Sequence, residues 1–265
     1  MASNAIPIEL TELIIPQLPP FPETAQAGGR PRVPHSTVLK VVWHMLVTGC
    51  RWSDVPAELG CCGETARTRV RDWQNAGIWN AVHQILLAKL RKADKLNTEV
   101  AIVDSTQTRA FGAGELTGPS PVDRAKPGTK HTLMVDLNGV PLAIKTAGSN
   151  RSDQKELMPL IVEFPHIKGK PGRPKELPDV VIADAGYDSE ATRSLLSWMG
   201  IEPLIRKRGA PHGSHLGKVR WVVERTISWF KGYRRLRFRY DRTKPMIEAW
   251  AKLAAVGICF RILTN

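Results

Sequence analysis

The chain is predicted to be an α/β protein: a mixed β-sheet flanked by helices, preceded by an all-α segment with a helix-turn-helix rhythm. Three observations lead there. Apolar residues recur at helical spacing from Ser36 to Lys92. Near Glu99 the pattern changes to short β-branched runs, EVAIVD, HTLMVDL, PLAIKTA and DVVIAD. Helical stretches then alternate with strands and close the chain, the pattern of a sheet with helices packed on it. The division falls near residue 95, with a helical part at 1–95 and a sheet-bearing part at 96–265.

The N-terminal MASNAIPIELTELIIP suits a short helix and lacks the basic region and cleavage site of a secretory signal. Residues 16 to 34 hold six prolines and Gly28-Gly29, which predicts an irregular arm. Val38, Val41, Val42, Met45 and Leu46 keep helical spacing, and Gly49 is placed to end that helix. A short element is expected at Ser53–Leu59 with Ser53 as its cap. A third helix is expected at Glu64–Asn75, closing at Gly77, and a fourth at Asn80–Lys92. In the third helix Val70 and Trp73 face the core, while Arg67 and Arg71, four apart, share an outer side. That is the spacing of a DNA-contacting helix, and equally of a small bundle with a solvated basic face.

EVAIVD ends at Asp104 and reads as a strand. HTLMVDL and PLAIKTA flank Asn138-Gly139, the signal of a type I′ hairpin. DVVIAD is a second apolar strand ending at Asp184. KGKPGRPK at 168–175 reads as a flexible basic loop. A helix is expected at Ser189–Met199 with Gly200 as its stop, then a short strand at 203–205. A basic Gly/Pro/His loop leads into a long helix through Arg220. The closing stretch, Met246–Leu263, is apolar but carries Glu248, Lys252 and Arg261, which suits a packed helix and not a membrane span.

The 265 residues carry a formal net charge of +13. Residues 206–242 hold twelve Lys/Arg against two acids, Glu224 and Asp241. Charge concentrated in this way points to a polyanion, with nucleic acid first. The four cysteines form no C-x-x-C pair, which argues against a structural zinc and for reduced thiols in a cytoplasmic protein.

The chemistry is carried by carboxylates. A buried strand is apolar throughout, so an aspartate at its last residue lies at the sheet edge, where ligands reach it. If the strands of Asp104 and Asp184 are parallel neighbours, the two carboxylates meet. They then repel unless a cation sits between them, and Mg²⁺ or Mn²⁺ suits an all-carboxylate site. In RWVVERTISWFK, Glu224 lies about 40° and Lys231 about 20° from Arg220 around a helix. One acid is thus flanked on one face by two cations able to grip phosphates. Arg225, Arg234 and Arg235 add to that basic surface. An aspartate after a strand is also a common turn cap, so neither is decisive alone.

The blocks AIVDSTQTRA, KPGTKHTLMVDLNGVPLAIKTAGSNRSD, VVIADAGYDSE and RWVVERTISWFKGYRRL together resemble the DDE transposases of bacterial insertion sequences, in the branch named for insertion sequence five. VVWHMLVTGCRWSDVPAELG and TARTRVRDWQNAGIW resemble the helical DNA-binding region of that family. The resemblance covers nearly the whole chain. It implies an RNase H-like catalytic domain in which Asp104, Asp184 and Glu224 ligate divalent metal, two ions per site. Arg220, Lys231, Arg225, Arg234, Arg235, Arg67 and Arg71 then fall to DNA. The implied partners are the terminal inverted repeats and target DNA, with a homodimer or larger assembly in the complex, no membrane, and a cytoplasmic, nucleoid-associated location. One position departs: relatives often carry tyrosine three residues before the arginine, where this chain has Gly217, so no phosphate-contacting tyrosine carries over. An RNase H-like nuclease that cuts without joining, and a non-catalytic DNA-binding regulator, are the competing readings.

Overall fold

The computed structural model describes residues 5–21, 31–207, 209 and 217–265. Most of the basic Gly/Pro/His loop and residues 22–30 of the Pro-rich arm lie outside the described residues.

Helix α1 (Ile8–Ile14) is followed by α2 (His35–Thr48), α3 (Gly63–Asn75) and α4 (Ile78–Lys92). Gly49 ends α2 as the spacing predicts. Its φ is 72°, and its amide donates to the Met45 carbonyl at 2.9 Å. The element expected at Ser53–Leu59 is a pair of 3-10 turns, Trp52–Asp54 and Ala57–Leu59. Ser53 does not cap it: its hydroxyl donates to the neighbouring Asp54 carboxylate instead, at 2.7 Å. Helix α3 starts at a glycine because a Cβ on Gly63 would sit 1.9 Å from the Trp52 carbonyl oxygen.

The sheet contains β1 (Val100–Ala110), β2 (Gly118–Pro119), β3 (Pro127–Val135), β4 (Pro141–Gly148), β5 (Val180–Ala183), β6 (Glu202–Ile205) and β7 (Phe238–Arg239). Its order is β4-β3-β1-β5-β6, with β3 antiparallel to both neighbours and β1, β5 and β6 mutually parallel. Short β2 extends the outer edge of β3, and β7 runs parallel to the end of β1. Helices α5 (Asp153–Val162), α6 (Glu190–Trp198), α7 (Gly217–Gly232) and α8 (Lys244–Thr264) complete the chain. This is the mixed sheet with flanking helices that the sequence predicts.

Side-chain alternation gives the sheet two cores. Ala101 and Val103 join a large apolar cluster that runs from Leu10 in α1 to Phe260 in α8. Ile102 joins Val135, Ile182, Val222 and Val223 in a smaller cluster beneath α7. Helix α8 packs on α3, α4 and β4, so one core spans the N-terminal helices and the sheet. Burial on nearly every side is why α8 is apolar: thirteen of its residues are buried. No described helix is long and apolar enough to cross a membrane.

Four details differ from the sequence reading. Strand β1 does not stop at Asp104 but continues to Ala110, because β3 pairs it from Ile102 to Arg109. Its outer half, STQT, is polar, which hides a strand from an apolar-run criterion. The hairpin turn is not type I′: Gly139 alone has positive φ (85°), and its amide donates to the Asp136 carbonyl. This is a type I turn closed by a left-handed glycine, stapled by Asp136 Oδ1 accepting from the Asn138 and Val140 amides. The loop at 168–175 is tied at its base by reciprocal bonds between Ile167 and Lys175. Helix α5 carries little helical signal in its sequence, because its ten residues contain Pro159.

Candidate active site

The site lies where β1 loses its parallel neighbour. Strand β5 pairs with β1 only through Val100–Ile102, with Ile102 opposite Ile182. Two residues further along each strand stand Asp104 and Asp184, on the face covered by α7. The chain turns away after Ala183, and Asp184 caps the 3-10 turn Ala185–Tyr187. Capping and site geometry are compatible because they use different oxygens. Asp184 Oδ1 accepts from the Gly186 amide at 2.8 Å, and Asp104 Oδ1 accepts from the Ser105 amide at 2.8 Å. Both Oδ2 atoms face one guanidinium nitrogen: Arg220 Nη2 stands 3.5 Å from Asp104 and 3.8 Å from Asp184. The cation that two neighbouring carboxylates require is here supplied by α7.

Asp104 is mostly buried, and burial raises its pKa above the usual carboxylate range. The Ser105 amide and Arg220 oppose that shift, while the charges of Asp184 and Glu224 add to it. Glu224 is exposed on α7 one turn beyond Arg220. Lys231 lies along the same face, half-buried, and donates to the Gln107 carbonyl of β1 at 3.2 Å. Burial lowers its pKa. Arg220, Glu224 and Lys231 therefore form a row above β1, as their spacing predicts. Asp104 and Asp184 converge but Glu224 stands off: among the described residues no three His, Cys, Asp or Glu side chains form a ready-made metal site. The donor set itself, carboxylate oxygens, fits a hard divalent cation.

A further carboxylate went unread in the sequence. Asp153 opens α5, where its Oδ1 accepts from Ser105 Oγ at 3.1 Å and from Lys130 Nζ at 2.8 Å. A Cβ placed on Gly186 would meet Asp184 Oδ1 at 2.9 Å and Asp153 Oδ2 at 3.4 Å, so the two carboxylates close on one glycine. Buried Tyr187 belongs to the same cluster. Burial, then the charges of Asp153 and Asp104, push its hydroxyl well above its ordinary pKa. The signal in the sequence is Lys130, the one Lys, Arg, Asp or Glu in β3; a lysine buried there needs a carboxylate.

Residues 95–256 match the family model described as "Transposase DDE domain", and residues 9–83 match "Putative transposase of IS4/5 family". The chain belongs to the DDE transposases. It is 50% identical over 162 residues to "Putative transposase for insertion sequence element IS402" of Burkholderia cepacia, covering 61% of this chain and 75% of that protein. It is 46% identical over 123 residues to an IS402 16.2 kDa protein of the same organism, covering 46% of this chain and 84% of that one. Among solved structures, the Mos1 mariner paired-end complex with Mn is similar at 11% identity and a TM-score of 0.36, over 91% of this chain and 79% of that one. The catalytic domain of Mos1 mariner transposase gives 10% identity and 0.35, over 74% and 91%.

The transposase separates the arginines assigned to DNA from sequence alone. Arg235 is a correction. It is 6% exposed, its guanidinium lies between the rings of Trp52 and Trp250, and it pairs with Asp241 at 2.8 Å. It also donates to the Cys50 carbonyl at 2.6 Å, so it ties the end of α2 to the C-terminal segment and leaves no exposed donor for DNA. Arg225 is largely committed as well: it stacks between Trp221 and Trp229 and donates to the Asn138 carbonyl at 2.8 Å, bracing α7 on the hairpin. Arg234 is exposed. Arg67 and Arg71 stand on the outer side of α3, where Arg67 pairs with Glu64 at 2.7 Å and Arg71 with Asp72 at 3.2 Å. Val70 and Trp73 are buried as the helical pattern predicts.

Proposed function

We propose that this transposase binds the terminal inverted repeats of its insertion sequence and performs cleavage and strand transfer at the Asp104–Asp184 edge. The observation that carries the reading is the convergence of both Oδ2 atoms on the Arg220 guanidinium, where β5 ends beside β1. Asp104, Asp184 and Glu224 are the ligands we assign to Mg²⁺ or Mn²⁺, two ions in all. When bound, such ions activate an attacking water or 3′-hydroxyl and stabilise the leaving 3′ oxygen of an in-line displacement. The two backbone amides hold the Oδ1 atoms and so aim each Oδ2 into the site. Arg220 screens the carboxylate pair before loading and contacts a phosphate afterwards, from the same turn of α7. Lys231 lies above β1 beyond Glu224, in line for a phosphate beside the cut. Asp153 and Lys130 orient Ser105, whose amide positions Asp104.

The N-terminal helices, 1–95, read the element's ends through Arg67 and Arg71 of α3 in a helix-turn-helix manner, and 96–265 supplies the chemistry. Synapsis of two ends requires at least two protomers. The setting is the cytoplasm, on nucleoid DNA.

Asp104→Asn and Asp184→Asn test the assignment. Each keeps the side-chain volume and removes one ligand charge. Cleavage of an inverted-repeat duplex with Mg²⁺ should fall at least about a thousandfold, about 4 kcal/mol of transition-state stabilisation, with end binding unchanged. Near wild-type cleavage by either variant removes that residue from the ligand set. Pre-cleaved ends that are bound but never joined to target DNA would favour a nuclease without strand transfer.

A further inference from the structure

The end of β1 carries an exposed aromatic ladder that the cleavage site does not use. Strand β7 pairs Arg109 with Phe238 and Ala110 with Arg239, so the next pair in register is Phe111 beside Tyr240. Alternation puts Arg109, Phe111, Phe238 and Tyr240 on one face, while Ala110 and Arg239 are buried on the other. The three rings are 52%, 53% and 58% exposed in chain order. Phe111 and Tyr240 stack with centroids 5.7 Å apart and planes 18° apart. Phe238 lies 5.8 Å from Phe111, tilted by 54°. The Arg109 guanidinium sits 5.5 Å from the Phe111 centroid and is fixed by Asp123.

Three exposed rings packed on one another are unusual on a monomer surface and mark a contact site. The backbone beneath them is held in place. The Gly112 amide donates to the Arg239 carbonyl and the Glu115 amide to the Arg242 carbonyl. The approach is close enough that a Cβ on Gly112 would fall 2.4 Å from the Tyr240 carbonyl oxygen, and one on Gly114 2.4 Å from that of Arg242. The surroundings are cationic. Residues 105–128 and 237–244 hold seven Lys/Arg against three acids. Two of those acids are engaged, Asp123 with Arg109 and Asp241 with buried Arg235. Arg124, Lys126, Arg237 and Arg242, on the same two segments as the rings, are exposed.

We propose that Phe111, Phe238 and Tyr240 form a stacking platform for unpaired nucleobases of the DNA strand that leaves the active site, with the surrounding arginines on its phosphates. Flat exposed rings with interleaved cations are what binds single strands without reading their sequence, because every base has a stacking face. From Ser105, which touches Asp153 at the site, to Phe111, one residue past the end of β1, is six residues of extended chain, about 20 Å. That is about six nucleotide steps at the 3.4 Å rise of stacked bases. The inference rests on DNA being the substrate.

The test uses the full chain in EDTA, with a fluorescent thymidine 15-mer and a blunt duplex of equal length as probes. Phe111→Ala combined with Tyr240→Ala should weaken single-strand binding about tenfold or more and leave duplex binding within about twofold. Phe111→Trp should bind the single strand at least as well as wild type, and it guards against misfolding of the alanine variant. The platform is overturned by equal losses on both probes, by no loss, or by unchanged DNA affinity with a smaller oligomer in light scattering, which would make the patch a protein contact. A wild-type chain that binds neither probe would sink the DNA-substrate reading, and the platform with it.

Discussion

Arg220 and Arg235 each face carboxylates in the same C-terminal region, yet they do opposite work. Arg235 is enclosed by two tryptophan rings, doubly bonded to Asp241 and bonded again to the Cys50 carbonyl. Asp241 is equally consumed, accepting also from the indoles of Trp52 and Trp250. Every charge there has its partner, at 2.6–3.3 Å. Arg220 shares one nitrogen between two aspartates at 3.5 and 3.8 Å, and its buried Nε has no partner among the described residues. A closed ion pair fixes the fold. A stretched one, with two like charges behind it, is poised to exchange its cation.

The largest effect expected from this contrast is on Arg235→Ala. Asp241 is then buried without its counter-charge, which costs about 3–5 kcal/mol. For a chain of this size the melting temperature should drop by about 10 °C or more in calorimetry. A fall below about 3 °C would show that Arg235 is not the anchor its contacts describe.

Next comes acid stability, which extends the contrast to buried groups that avoid charge. His83 and His131 are buried, and desolvation lowers their pKa values from 6.5 to about 4 and about 3. Between those values and 6.5 the unfolded chain binds more protons than the folded one. Their contribution is therefore complete above pH 6.5 and is lost as pH falls toward 4. For His83 it amounts to at most about 3 kcal/mol. His83→Gln retains a donor for the Pro141 carbonyl, which His83 Nε2 now meets at 2.8 Å. The variant should lose less stability than wild type between pH 7 and pH 5 in chemical denaturation. An unaltered slope would mean that His83 titrates normally.

The smallest effect belongs to Arg220→Ala. Removing the shared cation leaves Asp104 and Asp184 repelling across a half-open edge, a cost of about 1 kcal/mol. Added Mg²⁺ should then raise the melting temperature of the variant more than that of wild type, since the ion binds the folded state alone. An equal rise in both proteins would break the idea that Arg220 and a metal ion serve the same carboxylates.

The two arginines also show where sequence reading succeeds. In the sequence both stand in one basic run, and spacing recommends both for DNA. Periodicity placed Arg220, Glu224 and Lys231 in one row because helix geometry is local. It also located α2, α3 and β5 and the aspartates near the sheet edge, because apolar runs and glycine stops are local signals too. Asp153 was silent because its role depends on Lys130, which lies 23 residues earlier in the chain. The outer half of β1 was silent because its polar residues are covered by β3 and not by their own neighbours.

The sequence by itself determined the family, the alternation of strands and helices, and the residue types that handle phosphate and metal, since each is written in short-range pattern. Only the tertiary structure decided which oxygen of each aspartate is free, which arginines are enclosed, and that three rings from the ends of β1 and β7 meet in one exposed ladder. Those outcomes depend on strand register and on side chains packed across more than a hundred residues of chain, and no local periodicity encodes such contacts.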